Sequence, residues 1–379
     1  MARFDLTELR ARLGRFVKER VLAEPPAPAP PPAGAPGSAA AARAAPAPDL
    51  AAQVLRRVQA YRESCVIAAA VELGVFEALT AGPRSADALA AALGTDAAAT
   101  RRLLQALAAL GLVARDGASW SLGEAGRQLL ADRPAGAWAL LAASEYLPAW
   151  SELGATVRSG RPSFERVMGV SAWQHRADHP RVARAFDLAM TPSQRRSGAR
   201  VAAAIAADTA ADARVVDVGG GLGFLLSGVL EARPAARGVL FDLPHVAARA
   251  RETFAAAGLA ERVECVGGSF FEAIPSGDVL LLMHVLHDWD DDAVRAILAR
   301  CRAALGPGGR LVVGDACVRP EVLERDAGLA LLDLHMMVVL GGRERSFEEL
   351  SALLAEAGFG AVRRLSHDHR ELELVEARA

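Results

Sequence analysis

The chain has 379 residues, of which 52% are hydrophobic and 23% charged, with a formal net charge of −2. That length accommodates two domains, and the near balance of charge provides no basic surplus for nucleic acid. Cys65, Cys265, Cys301 and Cys317 form no C-x-x-C pair, so they suggest neither zinc nor a disulfide framework; buried thiols in a reducing cytoplasm are expected.

Residues 5–22 predict an amphipathic helix, with Asp5 and Glu8 spaced as a capping box and Leu6, Leu9, Leu13, Phe16 and Val17 on one face. Residues 23–49 are almost wholly Ala and Pro and cannot build a core, so they read as an extended tether. A helix on such a tether either folds back on its own dimer or docks on a biosynthetic partner protein. The N-terminus has no apolar signal segment. The most apolar stretch, residues 65–76, is short and holds Glu72, which predicts a core helix and a soluble, cytoplasmic protein.

Residues 50–190 predict a mostly helical domain. One helix covers residues 66–79; Ser85 caps a second over 86–93, and Asp96 a third over 97–110. Two short strands flank Asp116-Gly117, a hairpin signal. Three helices and a wing can bind DNA, but Arg101, Arg102 and Gln105 are the only polar reach of the third helix, so a dimerisation module is favoured. Longer helices are expected over 136–190. There Phe186 and Met190, four residues apart on one helix face, are the best candidates to wall an aromatic substrate pocket.

Residues 191–379 alternate strand and helix and end in a strand pair, which predicts a doubly wound α/β sheet. The apolar run 215–218 holds Asp217 and breaks into Asp217-x-Gly219-x-Gly221-x-Gly223. G-x-G-x-x-G fails here, because the sixth position from Gly219 or Gly221 is Phe224 or Leu226. A carboxylate followed by alternating glycines is instead the form seen in S-adenosylmethionine (SAM) methyltransferases. That cofactor offers an amino-acid head and a ribose in place of a pyrophosphate. Asp242 ends the next strand, where a carboxylate suits two ribose hydroxyls. Ser269 and Phe270, after the third strand, can reach an adenine.

His287 stands where the fourth strand meets its helix, at the same sheet edge as the glycine turn. An imidazole there can take the proton of a hydroxyl as its oxygen attacks a methyl carbon. Asp315 and Glu344 are the two candidates to orient it. Asp288, Asp290, Asp291 and Asp292 read as acids at a helix N-terminus, and no complete metal-ligand spacing is present. His284, His335, His367 and His369 read as structural or exposed.

Together Asp217-Val218-Gly219-Gly220-Gly221, Phe241-Asp242-Leu243-Pro244-His245-Val246, Gly268-Ser269-Phe270-Phe271, His287-Asp288-Trp289 and Gly341-Gly342-Arg343-Glu344-Arg345-Ser346 resemble the small-molecule O-methyltransferases of the plant caffeate type. The bacterial branch that methylates polyketide and other natural-product phenols is the most similar. Over residues 50–379 the resemblance implies a homodimer, a class I SAM domain with a seven-stranded sheet, and metal-independent catalysis. By position it implies cofactor contacts at Gly219, Asp242, Ser269, Phe270 and Met283, a base at His287 and a flanking acid at Glu344; Asp217, Gly221 and Leu243 are further candidate cofactor contacts and Asp288 a candidate substrate contact. Ser269 stands for an adenine-binding Asp, Asp315 for a longer Glu, and Met283 for a Lys.

The expected function is methyl transfer to a phenolic or enolic hydroxyl of a secondary metabolite. The alternatives are a SAM-binding relative that supports hydroxylation without methylating, an N-methyltransferase, and, from another class, a winged-helix regulator that senses SAM.

Overall fold

The structure, a computed structural model, describes residues 49–206, 208–315, 320–365 and 373–379. The helix expected over residues 5–22, residues 23–48 of the tether, Cys317, His367 and His369 lie outside them. The chain divides into two units, Met1–Leu55 and Arg56–Ala379, and the elements that follow all belong to the second.

In the first part of that unit, caps and glycines set the element ends. The stretch expected as one helix over 66–79 is two, Tyr61–Glu72 and Val75–Ala78, parted at Gly74 with φ +77°. Ser85 Oγ accepts the Ala88 N–H at 3.1 Å and starts Ala86–Leu93; Asp96 does the same for Ala99 at 2.8 Å and starts Ala97–Ala109. Strands β1 (Arg84–Ser85), β2 (Val113–Asp116) and β3 (Ser119–Leu122) form a sheet in the order β1-β3-β2. The pattern predicts only the β2–β3 hairpin, because a two-residue strand is too short to show alternation. Phe76, Leu89, Leu104, Leu107 and Trp120 are buried between these elements, each worth roughly 1.5–3 kcal/mol over exposure.

Residues 134–178 form short helices, not the longer ones expected, with one π-helical turn at Ala142–Tyr146. Gly160 and Gly169 end two of them in the left-handed conformation. A 27-residue helix, Pro180–Ala206, then runs through residues 190 and 191 despite Pro192. Val182, Ala185 and Ala189 belong to the helical core, whereas Val201, Ala202 and Ile205 pack against the sheet that follows. One helix therefore ties the two cores together.

The strands β4 (Arg214–Val218), β5 (Arg237–Asp242), β6 (Val263–Gly267), β7 (Gly277–Met283), β8 (Leu305–Asp315), β9 (Gly360–Arg364) and β10 (Glu373–Arg378) form one seven-stranded sheet. Its order is β6-β5-β4-β7-β8-β10-β9, with β10 antiparallel to both neighbours. Apolar runs such as Val279–Leu282 are buried on both faces by separate hydrophobic clusters, as parallel strands under helices require. Register pairs Val218 with Phe241, Asp242 with Gly267, and Met283 with Gly314, so these strands end along one edge. Chain order reverses between β4 and β7, and the crevice at such a reversal is where ligands bind in open α/β sheets. No helix among the described residues is long and apolar enough to cross a membrane.

Candidate active site

Two chain reversals face each other at that edge, one after β4 and one after β7. The first is the glycine turn. Gly219, Gly221 and Gly223 have φ of +73°, +58° and +80°, a region that L side chains rarely adopt. Space is short as well: a Cβ on Gly219 would lie 2.9 Å from Val285 Cγ2, and one on Gly221 would lie 2.7 Å from Gln194 Nε2. Asp242 ties the turn to β5, since its Oδ2 accepts the Gly221 N–H at 2.8 Å and its Oδ1 accepts the Leu243 N–H at 2.6 Å. Burial pushes the Asp242 carboxyl up to about 6, against the pull of these two N–H groups.

Asp217 is 2% exposed and lies beneath the turn, with its Oδ2 lacking a hydrogen-bond partner. Burial, and then the neighbouring Asp242, push it up to about 7. The structure thus places Asp217 under the loop and Asp242 at its rim. Ser269 Oγ accepts the Phe271 N–H at 3.3 Å, and Phe270 packs edge-on against Trp289 at 5.7 Å between centroids. Met283 ends β7 and is buried.

The second reversal carries His287, the candidate base. His287 sits in a short 3₁₀ turn, Leu286–Asp288, and is 8% exposed. Its Nδ1 lies 2.7 Å from Glu344 Oε1. A carboxylate oxygen accepts, so Nδ1 carries the hydrogen, and Nε2 offers a lone pair when the ring is neutral. Nε2 is 3.5 Å from Asp288 Oδ1. Glu344, and not Asp315, is therefore the acid bonded to the ring. Asp315 acts through its field, and its Oδ1 has no hydrogen-bond partner. Burial alone would lower the His287 pKa, but Asp288, Glu344 and Asp315 together raise it to about 10. Burial in turn pushes Asp288 up to about 7 and Asp315 up to about 6, each partly offset by the imidazolium.

Asp288 is not a helix cap. Asp290 caps helix Asp291–Ala304 by accepting the Ala293 N–H at 2.9 Å, and Asp291 pairs with Arg343 and Arg345. The segment carrying Glu344 is pressed against the His287 turn, where a Cβ on Gly342 would fall 2.0 Å from the His287 carbonyl oxygen. Arg345, 5% exposed, fastens that turn: it donates to the carbonyls of Leu286 at 2.9 Å and Trp289 at 2.7 Å while pairing with Asp291.

Sequence reasoning gave no site role to four neighbours, His284, Arg345, Trp173 and His335. His284, at the end of β7, has φ +56°, and its ring lies 5.7 Å from that of His287. A left-handed non-glycine residue marks local strain of order 1–3 kcal/mol, which no sequence pattern reports. His284, His287 and Asp315 also bring one ligand atom each within 4.8 Å of one another, a spacing a cation could use. Arg345 was read as part of a motif without a task of its own. Phe186 and Met190 do pack on the helical core, and Trp173 meets both Phe186 and Trp289, at 5.9 and 6.4 Å between centroids. His335 lies edge-on to Tyr146 at 4.5 Å and stacks on Trp150 at 6.2 Å between centroids.

Residues 150–360 match the model of the O-methyltransferase domain, and residues 55–132 match that of the O-methyltransferase dimerisation domain. The chain belongs to the O-methyltransferase family. This O-methyltransferase is 41% identical to the mitomycin biosynthesis 6-O-methyltransferase of Streptomyces lavendulae, over 82% of this chain and 89% of that protein. Among solved structures, the mitomycin 7-O-methyltransferase superposes with a TM-score of 0.78 at 38% identity, covering 87% of this chain and 97% of the other. An O-methyltransferase from neocarzinostatin biosynthesis, solved with SAM and 2-hydroxy-5-methyl naphthoic acid, gives 0.71 at 35% identity, covering 84% and 96%. The chain is thus a SAM-dependent O-methyltransferase of secondary-metabolite biosynthesis, with a helical dimerisation domain preceding its seven-stranded sheet. The glycine turn fits that cofactor. Its cradle would be filled by any Cβ, and the Asp242 carboxylate, whose burial costs it solvation, has lone pairs left for two hydroxyl donors.

Proposed function

We propose that this enzyme methylates a phenolic or enolic hydroxyl of an aromatic natural product, with His287 as the general base. The carrying observation is the His287 ring, held through Nδ1 by Glu344 and presenting Nε2 on the Asp288 side of the β4–β7 crevice. When bound, SAM supplies a methyl group on a sulfonium. Gly219, Gly221, Asp242, Leu243, Ser269, Phe270 and Met283 would hold it, with Asp217 bracing the turn from below. Phe186 and Met190 wall the acceptor, and Asp288 meets it beside His287 Nε2.

The acid–base match supports this reading. A phenol is far less acidic than an ordinary imidazolium, and the acids around His287 raise its basicity toward that of a phenolate, which eases the proton transfer. Asp315 and Glu344 stabilise the imidazolium that results. Further rate comes from alignment of the acceptor oxygen with the methyl carbon. The chain is proposed to act as a homodimer, which agrees with the exposed apolar side chains of Val58 and Tyr61 in its dimerisation domain. No metal takes part in the proposed reaction.

Incubation with methyl-labelled SAM and a panel of phenolic, enolic, amine and carrier-tethered acceptors, with and without a chelator, tests it. Label should enter a hydroxyl acceptor and resist chelation. Label confined to amines, or lost with the chelator, would contradict the proposal.

A further inference from the structure

Beside the His287 turn lies a buried ion pair that the proposed mechanism leaves unused. Arg176, on helix Ala172–Asp178, is 4% exposed, and Glu145, in the π-helical turn Ala142–Tyr146, is wholly buried. Arg176 donates to the Glu145 carboxylate from Nε at 3.2 and 3.3 Å and from Nη2 at 2.8 Å. Its Nη1 has no hydrogen-bond partner among the described residues. The guanidinium carbon stands 3.8 Å from the centroid of Phe186, the proposed acceptor wall, and 5.2 Å from that of Trp173. Its charge is felt by Asp288, Tyr146 and His335. π-Helical turns interrupt helices mainly where a side chain must be re-aimed, often at functional sites.

A buried, unmade guanidinium N–H is a cost that a bound ligand oxygen would remove. The charge balance indicates which oxygen. Glu145 already matches the positive charge of Arg176, and Asp288 lies near, so a further full negative charge would be poorly matched. Nη1 lacks an acceptor atom, not a counterion. A second donor stands on the same wall: His335 Nδ1 accepts the Trp150 indole N–H at 3.0 Å, and because an indole only donates, His335 Nε2 carries the hydrogen.

We infer that Arg176 Nη1 receives a ketone oxygen conjugated to the acceptor's hydroxyl, so that the acceptor is a hydroxyaryl or enolic ketone. The inference rests on the proposed hydroxyl methylation and narrows its substrate. As the O–H bond breaks and the proton passes to His287 Nε2, the electron pair left on oxygen is shared through the conjugated ring with the carbonyl oxygen, where the Arg176 N–H bonds it most strongly. The acceptor oxygen then bonds the methyl carbon while the methyl–sulfur pair remains on sulfur, and the carbonyl is left neutral. Arg176 thus binds the acceptor and steadies charge that exists only in passage.

The test uses 2-naphthol, its 1-acetyl and 6-acetyl derivatives, and the matching 1- and 6-carboxylates. Dissociation constants with S-adenosylhomocysteine present are measured beside kcat/KM with SAM. The wild type should favour one acetyl isomer over 2-naphthol by about tenfold or more in both. In Glu145→Gln/Arg176→Met, where neither charge is orphaned, that ratio should collapse toward unity. Arg176→Lys, which keeps the charge and loses the planar fork, should give an intermediate ratio. Equal use of 2-naphthol and both ketones by the wild type, or a ketone preference that survives the double variant, would overturn the assignment. So would a carboxylate preference lost in the double variant, which would make Arg176 an anion site. Failure of all acceptors to be methylated while the ketone still binds preferentially would instead refute the hydroxyl-methylation reading and leave Arg176 as a carbonyl site.

Discussion

His287 gathers its properties from groups that are far apart in sequence. Glu344 fixes its tautomer, while Asp288 and Asp315 add negative field in a place that water scarcely reaches. The sign follows directly. A pKa raised from 6.5 to about 10 makes imidazolium the resting form below about 10, and the stability it contributes is complete below 6.5 and lost as pH rises through about 10. The base form grows over the same window. With an acceptor that stays un-ionised, kcat/KM should therefore climb from pH 7 by up to about tenfold per unit and level off near 10. Glu344→Gln should move that bend toward neutral pH while lowering the plateau. A flat profile from pH 6 to 9 would oppose this assignment. Asp217 behaves in the opposite sense. Its carboxyl, raised from 3.8 to about 7, costs nothing below pH 4 and destabilises the fold increasingly from about pH 4 to 7, where the cost levels off at no more than about 4 kcal/mol at 1.36 kcal/mol per unit. The thermal stability of the ligand-free enzyme should fall between about pH 4 and 7, and fall less in Asp217→Asn. Identical slopes in the two proteins would show that Asp217 is not strained by its charge.

At the level of elements, the site depends on how closely residues 341–346 approach the His287 turn. Gly342 permits the contact and Arg345 secures it from the other side. Gly342→Ala should wedge the two apart, costing roughly 1–3 kcal/mol of stability as an overpacked core does. Turnover should drop more than tenfold, because Glu344 no longer holds the ring, while SAM affinity is kept. Wild-type turnover in that variant would mean that the Glu344 bond does not govern the base. The same segment shows what a sequence can tell. Gly341-Gly342-Arg343-Glu344-Arg345-Ser346 was legible as a motif, and the choice between Glu344 and Asp315 was not, since it turns on which side chain a close backbone approach delivers. The strands of the parallel sheet were legible because buried strands read as apolar runs between glycines and caps. The break at Gly74, the strand β1 and the π-helical turn at Glu145 were not, because each is a local departure set by tertiary packing.

Across the whole molecule, the two halves of the site sit on opposite sides of the point where strand order reverses. The proposed cofactor contacts follow β4, β5 and β6, with Met283 at the end of β7; the proposed base follows β7; and the proposed acceptor wall is Phe186 and Met190 on the long helix Pro180–Ala206. That helix crosses the place where the sequence suggests a domain boundary, because its period stays helical on both sides while its buried face changes partners. Charge composition had already argued against a DNA-binding reading of the winged helix, and the family match assigns that domain to dimerisation. Arg176 and Glu145, by contrast, carry no sequence signal, being one arginine and one glutamate among many until the fold buries them together. Since the cofactor half is built mainly on β4, β5 and β6 and His287 stands four residues past the end of β7, the two should be separable by one substitution. The most direct measurement is His287→Ala, with SAM affinity and single-turnover methyl transfer followed on the same preparation. SAM should bind as in the wild type while transfer to a hydroxyl acceptor falls on the order of a hundredfold or more; transfer at the wild-type rate with SAM bound would contradict the role of His287 as the base.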